Sequence, residues 1–199
     1  MELDILNEIR IEAYLENTTI KDCTCENEVF QGVDFVNVIF ENCTFNSCDF
    51  SKSAFVSCRF VNCIFIKCKF GSAYFKNCEI RSCRMDSADF TDCHIKETVF
   101  FSVSLCYAVF TDSKIEKSGF SECDMKMASL SQVKLKGTEF HNDNLSSADF
   151  YKTSLKNIDL STCDISLIGI SDNLKEIKGL VVGHHQAVDI AVLTGVKFS

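Results

Sequence analysis

Every fifth position of this chain is apolar over most of its length. From Leu15 to Ile170, thirty-two consecutive positions spaced by five carry only apolar side chains, sixteen of them Phe. Two residues before each of these centres runs a second series of small or β-branched residues: Cys43, Cys48, Ser53, Cys58, Cys63, Cys68, Ala73, Cys78, Cys83, Ala88. The three remaining positions of each five are mostly polar or charged. A period of five matches neither the 3.6-residue period of an amphipathic helix nor the strict alternation of a half-buried strand. Unbroken recurrence at a fixed period is the mark of a solenoid.

Segments such as Ala88-Asp89-Phe90-Thr91-Asp92 and Ala148-Asp149-Phe150-Tyr151-Lys152 resemble the pentapeptide-repeat family, whose motif is written A(D/N)LXX, and the resemblance covers about residues 13 to 170. It implies an all-β solenoid: a right-handed quadrilateral β-helix with one pentapeptide on each of four faces and twenty residues per coil. The chain would then make about eight coils, a rod roughly 35 to 40 Å long at about 4.8 Å between stacked strands. Residues twenty apart stack in such a fold, which turns scattered cysteines into ladders. One column reads Cys23, Cys43, Cys63, Cys83, Val103, Cys123, Asp143, Cys163. Eleven of the thirteen cysteines take the small inward position; Cys25 is a centre and Cys106 points outward.

A solenoid has open ends that need covering. Residues 1–14 read as an N-terminal cap, 15–170 as the β-helix, and 171–199 as a C-terminal helical cap and dimerisation segment. Within the last, Ser171 to Lys178 reads as a short helical turn, and His184 to Thr194 as a helix closed by Gly195. Val188, Ile190, Ala191, Val192 and Leu193 are too many apolar residues for one buried face. One side would cap the last coil and the other would join a second copy, as in similar members of the family.

Thirteen cysteines suggest disulfides and secretion at first sight. The acidic start MELDILNEIR holds no apolar run long enough for a signal peptide, so a cytoplasmic chain with reduced thiols is expected, with no membrane span. Zinc is disfavoured because the cysteine spacings are mostly multiples of five, with the thiols pointing inward in rows among Phe rings. Disulfides within a ladder are disfavoured because in-register neighbours hold their Cβ atoms near about 4.8 Å, beyond the reach of a bridge. The inward cysteines therefore read as small hydrophobes filling a tight corner, and Cys106 as the one outward thiol open to modification. His94, His141, His184 and His185 belong to no nucleophile or metal motif, and neither a phosphate loop nor a G-x-S-x-G is present. No catalytic residue and no cofactor is expected. Glu28 and Asp143 fall at the small inward position, where an unpaired carboxylate would cost several kcal/mol. Backbone N–H groups, water or a bulge must answer each.

The net charge of −8 argues against direct nucleic-acid binding. Members of the family that this chain resembles, the Qnr quinolone-resistance proteins, bind bacterial type II topoisomerases as acidic rods of duplex dimensions. The resemblance thus implies gyrase or topoisomerase IV as partner, with Asp89, Asp149 and Asp159 as outward acidic candidates. Two features depart from that pattern. The register carries none of the projecting loops of many Qnr proteins, and Lys52 to Arg84 holds seven bases against Glu79, a basic belt in mid-rod. An interaction scaffold for another protein is the competing reading, and a thiol or redox role rests on the cysteine count alone.

Overall fold

The computed structural model describes residues 13–197. Three-residue strands centred on the apolar fifth positions stack in parallel, each pairing with the strand twenty residues away: Tyr14 with Asp34, Phe35 with Phe55, Tyr74 with His94. Two seven-stranded sheets result. One runs from Tyr14–Glu16 to Lys134–Lys136 and forms the first face; the other runs from Thr19–Lys21 to Glu139–His141 and forms the second. The third face begins as three strands, Thr24–Glu26, Thr44–Asn46 and Ile64–Ile66, and continues as single bridges through Arg84, Ser104, Asp124 and Asn144 to Asp164. The fourth is bridged throughout, from Val29 to Gly169. The β-solenoid is therefore present, with seven layers of full strands; the eighth coil is held by bridges such as Asn144–Asp164 and Asp149–Gly169.

The centres fill the bore. Phe rings twenty residues apart lie parallel, with centroids 4.9 Å apart for Phe35–Phe55, 4.8 Å for Phe55–Phe75 and 5.3 Å for Phe50–Phe70. Rings on adjacent faces meet edge to face, as Phe40 and Phe45 do. Both arrangements favour the ring quadrupole.

The inward small residues do more than fill space, which corrects their reading as plain hydrophobes. Ser53 Oγ donates to the Phe30 carbonyl at 2.7 Å and Ser113 Oγ to that of Phe90 at 2.6 Å, twenty-three residues back. Thiols make the same contact: Cys58 Sγ to Phe35 O at 3.3 Å, Cys68 Sγ to Phe45 O at 3.2 Å, Cys93 Sγ to Phe70 O at 2.9 Å. Corners of this kind present a buried carbonyl, and Cys supplies it with a donor while keeping an apolar body. The thirteen cysteines form no disulfide, and twelve are buried.

The corners follow from a second rule. The residue two after almost every centre is left-handed, as at Asn37 (φ 57), Lys52 (φ 61) and Asn62 (φ 53). Non-glycine residues pay about 1–2 kcal/mol there, least for Asn and Asp. Nearly every such N–H donates to the next coil, for instance Asn37 N to Val56 O at 2.8 Å, which offsets the strain.

Of the expected N-terminal cap, residues 1–12 lie outside the described residues, and Tyr14 already belongs to the first strand. At the other end, residues 171–179 form successive turns without a helix. A 3₁₀ turn at His184–Gln186 leads into helix α1, Ala187–Leu193, shorter than the sequence suggests, and Gly195 follows at φ +83. Gln186 closes the rod: its buried amide donates to Leu160 O at 2.8 Å and Cys163 O at 2.7 Å, while its oxygen accepts Gly183 N. Glu176, also buried, accepts Lys152 N and Ser171 Oγ. Among the described residues no helix is long and apolar enough to cross a membrane.

Candidate binding faces

The three acidic candidates share one position, just before a centre, and one local bond. Asp89 Oδ1 accepts Thr91 N at 2.9 Å, Asp149 Oδ1 accepts Tyr151 N at 3.0 Å, and Asp159 Oδ1 accepts Ser161 N at 2.8 Å. These carboxylates build the corner two residues on. Asp89 and Asp149 are half-buried; Asp89 also accepts Thr91 Oγ1, and Asp149 accepts Ser131 Oγ at 2.5 Å. Asp89 moreover stacks directly on Lys69. Asp159 lies in the register of the second face, and the freer acids of the fourth face, which holds Asp89 and Asp149, are Asp92 and Asp112, exposed at the corners of neighbouring coils.

Folding the chain sorts its charge by face. The basic belt between Lys52 and Arg84 becomes a ring: Lys76 on the first face, Arg59 and Arg81 on the second, Lys67 and Arg84 on the third, Lys52 and Lys69 on the fourth. Beyond it the fourth face carries Asp89, Asp92 and Asp112 with no base until Lys152. The first face does the opposite. From Lys76 onward it presents Lys76, Lys96, Lys114, Lys117, Lys134, Lys136 and Lys156 against Glu97 and Glu116.

Glu116 sits amid this stripe. Its carboxylate lies 2.6 Å from Lys114 Nζ, 2.9 Å from His94 Nε2 and 4.0 Å from Lys136 Nζ. The Lys114 hydrogen bond, with that of His94, holds its carboxyl down at about 2. His94 is therefore half-buried and partnered, and its ring lies 5.3 Å from that of Tyr74. His141, His184 and His185 are exposed.

At the C-terminal end the five interface candidates divide. Ile190 and Leu193 pack against the core, and Ala191 is half-buried. Val188 (54% exposed) and Val192 (47%) face outward with Val196, and Val181 and Leu167 are exposed apolar residues of the same end of the chain.

The thiol ladder Cys23, Cys43, Cys63, Cys83, Cys123, Cys163 is buried throughout. Burial pushes the Cys93 and Cys123 thiols up to about 12. Cys106 is half-buried with its Sγ 3.9 Å from Asp124 O, and burial first, Asp124 second, raise its pKa. It is a less open thiol than the sequence suggests. Asp143 is buried in the ladder column and makes no bulge, since Asp124, Asn144 and Asp164 bridge in register beside it. Its Oδ1 accepts Cys123 N at 2.8 Å and its Oδ2 accepts His141 N at 2.9 Å, yet burial still pushes its carboxyl up to about 6. Glu28 is half-buried. Among the described residues no three His, Cys, Asp or Glu side chains gather to hold a metal ion.

A family model described as a pentapeptide repeat region matches residues 53–125 and 73–150, and another, described as pentapeptide repeats in eight copies, matches residues 29–60. Among solved structures, a trypsin-treated form of QnrB1, a plasmid-mediated fluoroquinolone resistance protein, is similar at 20% identity and a TM-score of 0.59. That match covers 94% of this chain and 98% of the other. Full-length QnrB1 is similar at 18% identity and a TM-score of 0.50, over 89% and 100%. At these identities the likeness is one of fold. No curated protein matches the chain by sequence.

Proposed function

Because this chain belongs to the pentapeptide-repeat family, we propose that it acts without catalysis, as a rigid rod that offers its acidic fourth face to the DNA-binding groove of a bacterial type II topoisomerase. The observation that carries this reading is the sorting of charge by face. Asp89, Asp92 and Asp112 lie on successive coils with no base among them, on a backbone whose every layer is hydrogen-bonded to the next. A rod of this kind meets a basic groove without rearrangement, and complementary charge steers and orients the encounter. The shared architecture with QnrB1 agrees with it. Exposed Val188, Val192 and Val196 on the terminal segment supply the contact for a second copy, giving a longer rod with the acidic faces of two protomers.

The lysine stripe of the first face favours a second reading, an interaction scaffold for a different protein, because a duplex mimic gains nothing from a basic face.

DNA supercoiling by purified gyrase, titrated with the protein with and without a fluoroquinolone at two salt concentrations, tests the proposal. Salt-sensitive inhibition or rescue from the drug, weakened by Asp92→Lys with Asp112→Lys, supports it. No effect at a large molar excess ends the topoisomerase reading and leaves the scaffold. Light scattering tests the dimer separately: a monomeric mass at micromolar concentration removes it.

A further inference from the structure

The first face carries a like-charge cost that its two acids, Glu97 and Glu116, relieve only in part. Lys76 stacks in register on Lys96, and Lys114 on Lys134. Like charges directly opposite one another across a ladder are destabilising. Lys76, Lys134 and Lys156 form no ion pair among the described residues, and the side chains of Lys117 and Lys136 are 72% and 80% exposed.

We propose that this stripe is a docking surface for an extended acidic segment of another protein. Three observations point to carboxylates as the ligand chemistry. First, the face already holds one: Glu116 is gripped by Lys114 and His94, with Lys136 at the edge of reach, and Glu97 lies 4.0 Å from Lys96 and 3.9 Å from Lys117. The surface thus has a demonstrated way of seating a carboxylate among several cations. Second, the stripe is narrow. From Lys76 to Lys156 are four coil steps, about 19 Å, and a three-residue strand is about 10 Å wide. That suits one extended chain. A duplex about twice as wide would overlie the neighbouring acidic faces within a Debye length. Third, every one of the stripe's strong bases is Lys; the three arginines among the described residues, Arg59, Arg81 and Arg84, which would grip phosphate with two parallel bonds, lie on the second and third faces.

The site is distinct from the acidic fourth face and stands whether or not that face meets a topoisomerase. Fluorescence anisotropy of a labelled ten-residue poly-glutamate peptide, and of a single-stranded oligonucleotide of equal charge, at two salt concentrations tests it. Saturable, salt-sensitive peptide binding is expected. It should weaken about tenfold or more in Lys96→Glu with Lys136→Glu, but change less than twofold in Lys52→Glu with Lys69→Glu, which alters net charge equally on the fourth face. Circular dichroism checks that both variants stay folded. Absence of peptide binding at low salt, equal loss in both variants, or an oligonucleotide bound tenfold more tightly than the peptide would each overturn the proposal.

Discussion

Asp143 is the place where this rod gives up stability, and the amount can be worked out. Its carboxylate stands in a cysteine column between Cys123 and Cys163, accepts two backbone N–H groups, and is still pushed from an ordinary 3.8 up to about 6 by burial. A shift of that size corresponds to about 3 kcal/mol against the ionised form in the folded state. Threonine is the informative replacement, because Thr153 Oγ1 accepts Val133 N at 2.8 Å from the equivalent position, just as Asp143 accepts Cys123 N. Asp143→Thr keeps that bond, drops the one to His141 N, and removes the charge. Subtracting about 1 kcal/mol for the lost hydrogen bond, the variant should be about 2 kcal/mol more stable than the parent at pH 7.5.

The sign reverses with pH. The folded carboxyl binds a proton more tightly than the unfolded one, so between about 3.8 and 6 the folded state holds more protons and parental stability falls as pH rises. The variant's advantage should therefore be complete above pH 6.5, shrink through that window, and become a disadvantage of about 1 kcal/mol below pH 4. Urea unfolding of both proteins at pH 7.5 and 4.5, compared as a difference so that other carboxylates cancel, measures this. A parent as stable as the variant at pH 7.5, or a difference that does not move with pH, would refute the reasoning.

Phe55→Ala removes a ring stacked on both sides, by Phe35 and Phe75, and should cost about 4 kcal/mol in urea unfolding. Phe140→Ala, with one stacked neighbour in Phe120, should cost measurably less. Gln186→Ala leaves the Leu160 and Cys163 carbonyls without their donor, and should cost about 3 kcal/mol and raise hydrogen exchange in the last coil first. Alkylation of the native protein at pH 8 should modify at most Cys106, and that slowly, with the other twelve thiols reacting only on unfolding; ten fast thiols would restore a redox role.

The periodic part of the chain was legible because a period of five fixes both inward series at once, and the stacking of Phe35 on Phe55 follows from the twenty-residue coil without further information. What escaped a linear reading depends on neighbours a coil away. The stripe from Lys76 to Lys156 is invisible along the sequence, where its clusters follow one another at steps of seventeen to twenty residues. It emerges only when charge is sorted by face. The donor role of Cys58 or Cys93 concerns a carbonyl twenty-three residues away. The left-handed corners did leave a local trace, in Asn37, Asn42, Asn62 and Asn77 two residues after their centres. Asp89, Asp149 and Asp159 looked like surface charge because their turn-building bonds reach only to the next corner. At the C-terminus the repeat no longer guides the reading, and Gln186 carries a capping role that its residue type alone does not announce.

The four-sided coil also sets how such a surface can change over generations. Losing or gaining twenty residues shortens or lengthens the rod and leaves each column of side chains in line. Losing or gaining five keeps every Phe in the bore and every small residue at its corner, yet turns all that follows by one side. A single such event after Ser72 would carry the lysines from the first face onto a neighbouring one and bring a new side of the rod into their place. The core is blind to that change, so the pattern of charge around the rod can be reshuffled wholesale while the fold beneath it stays the same.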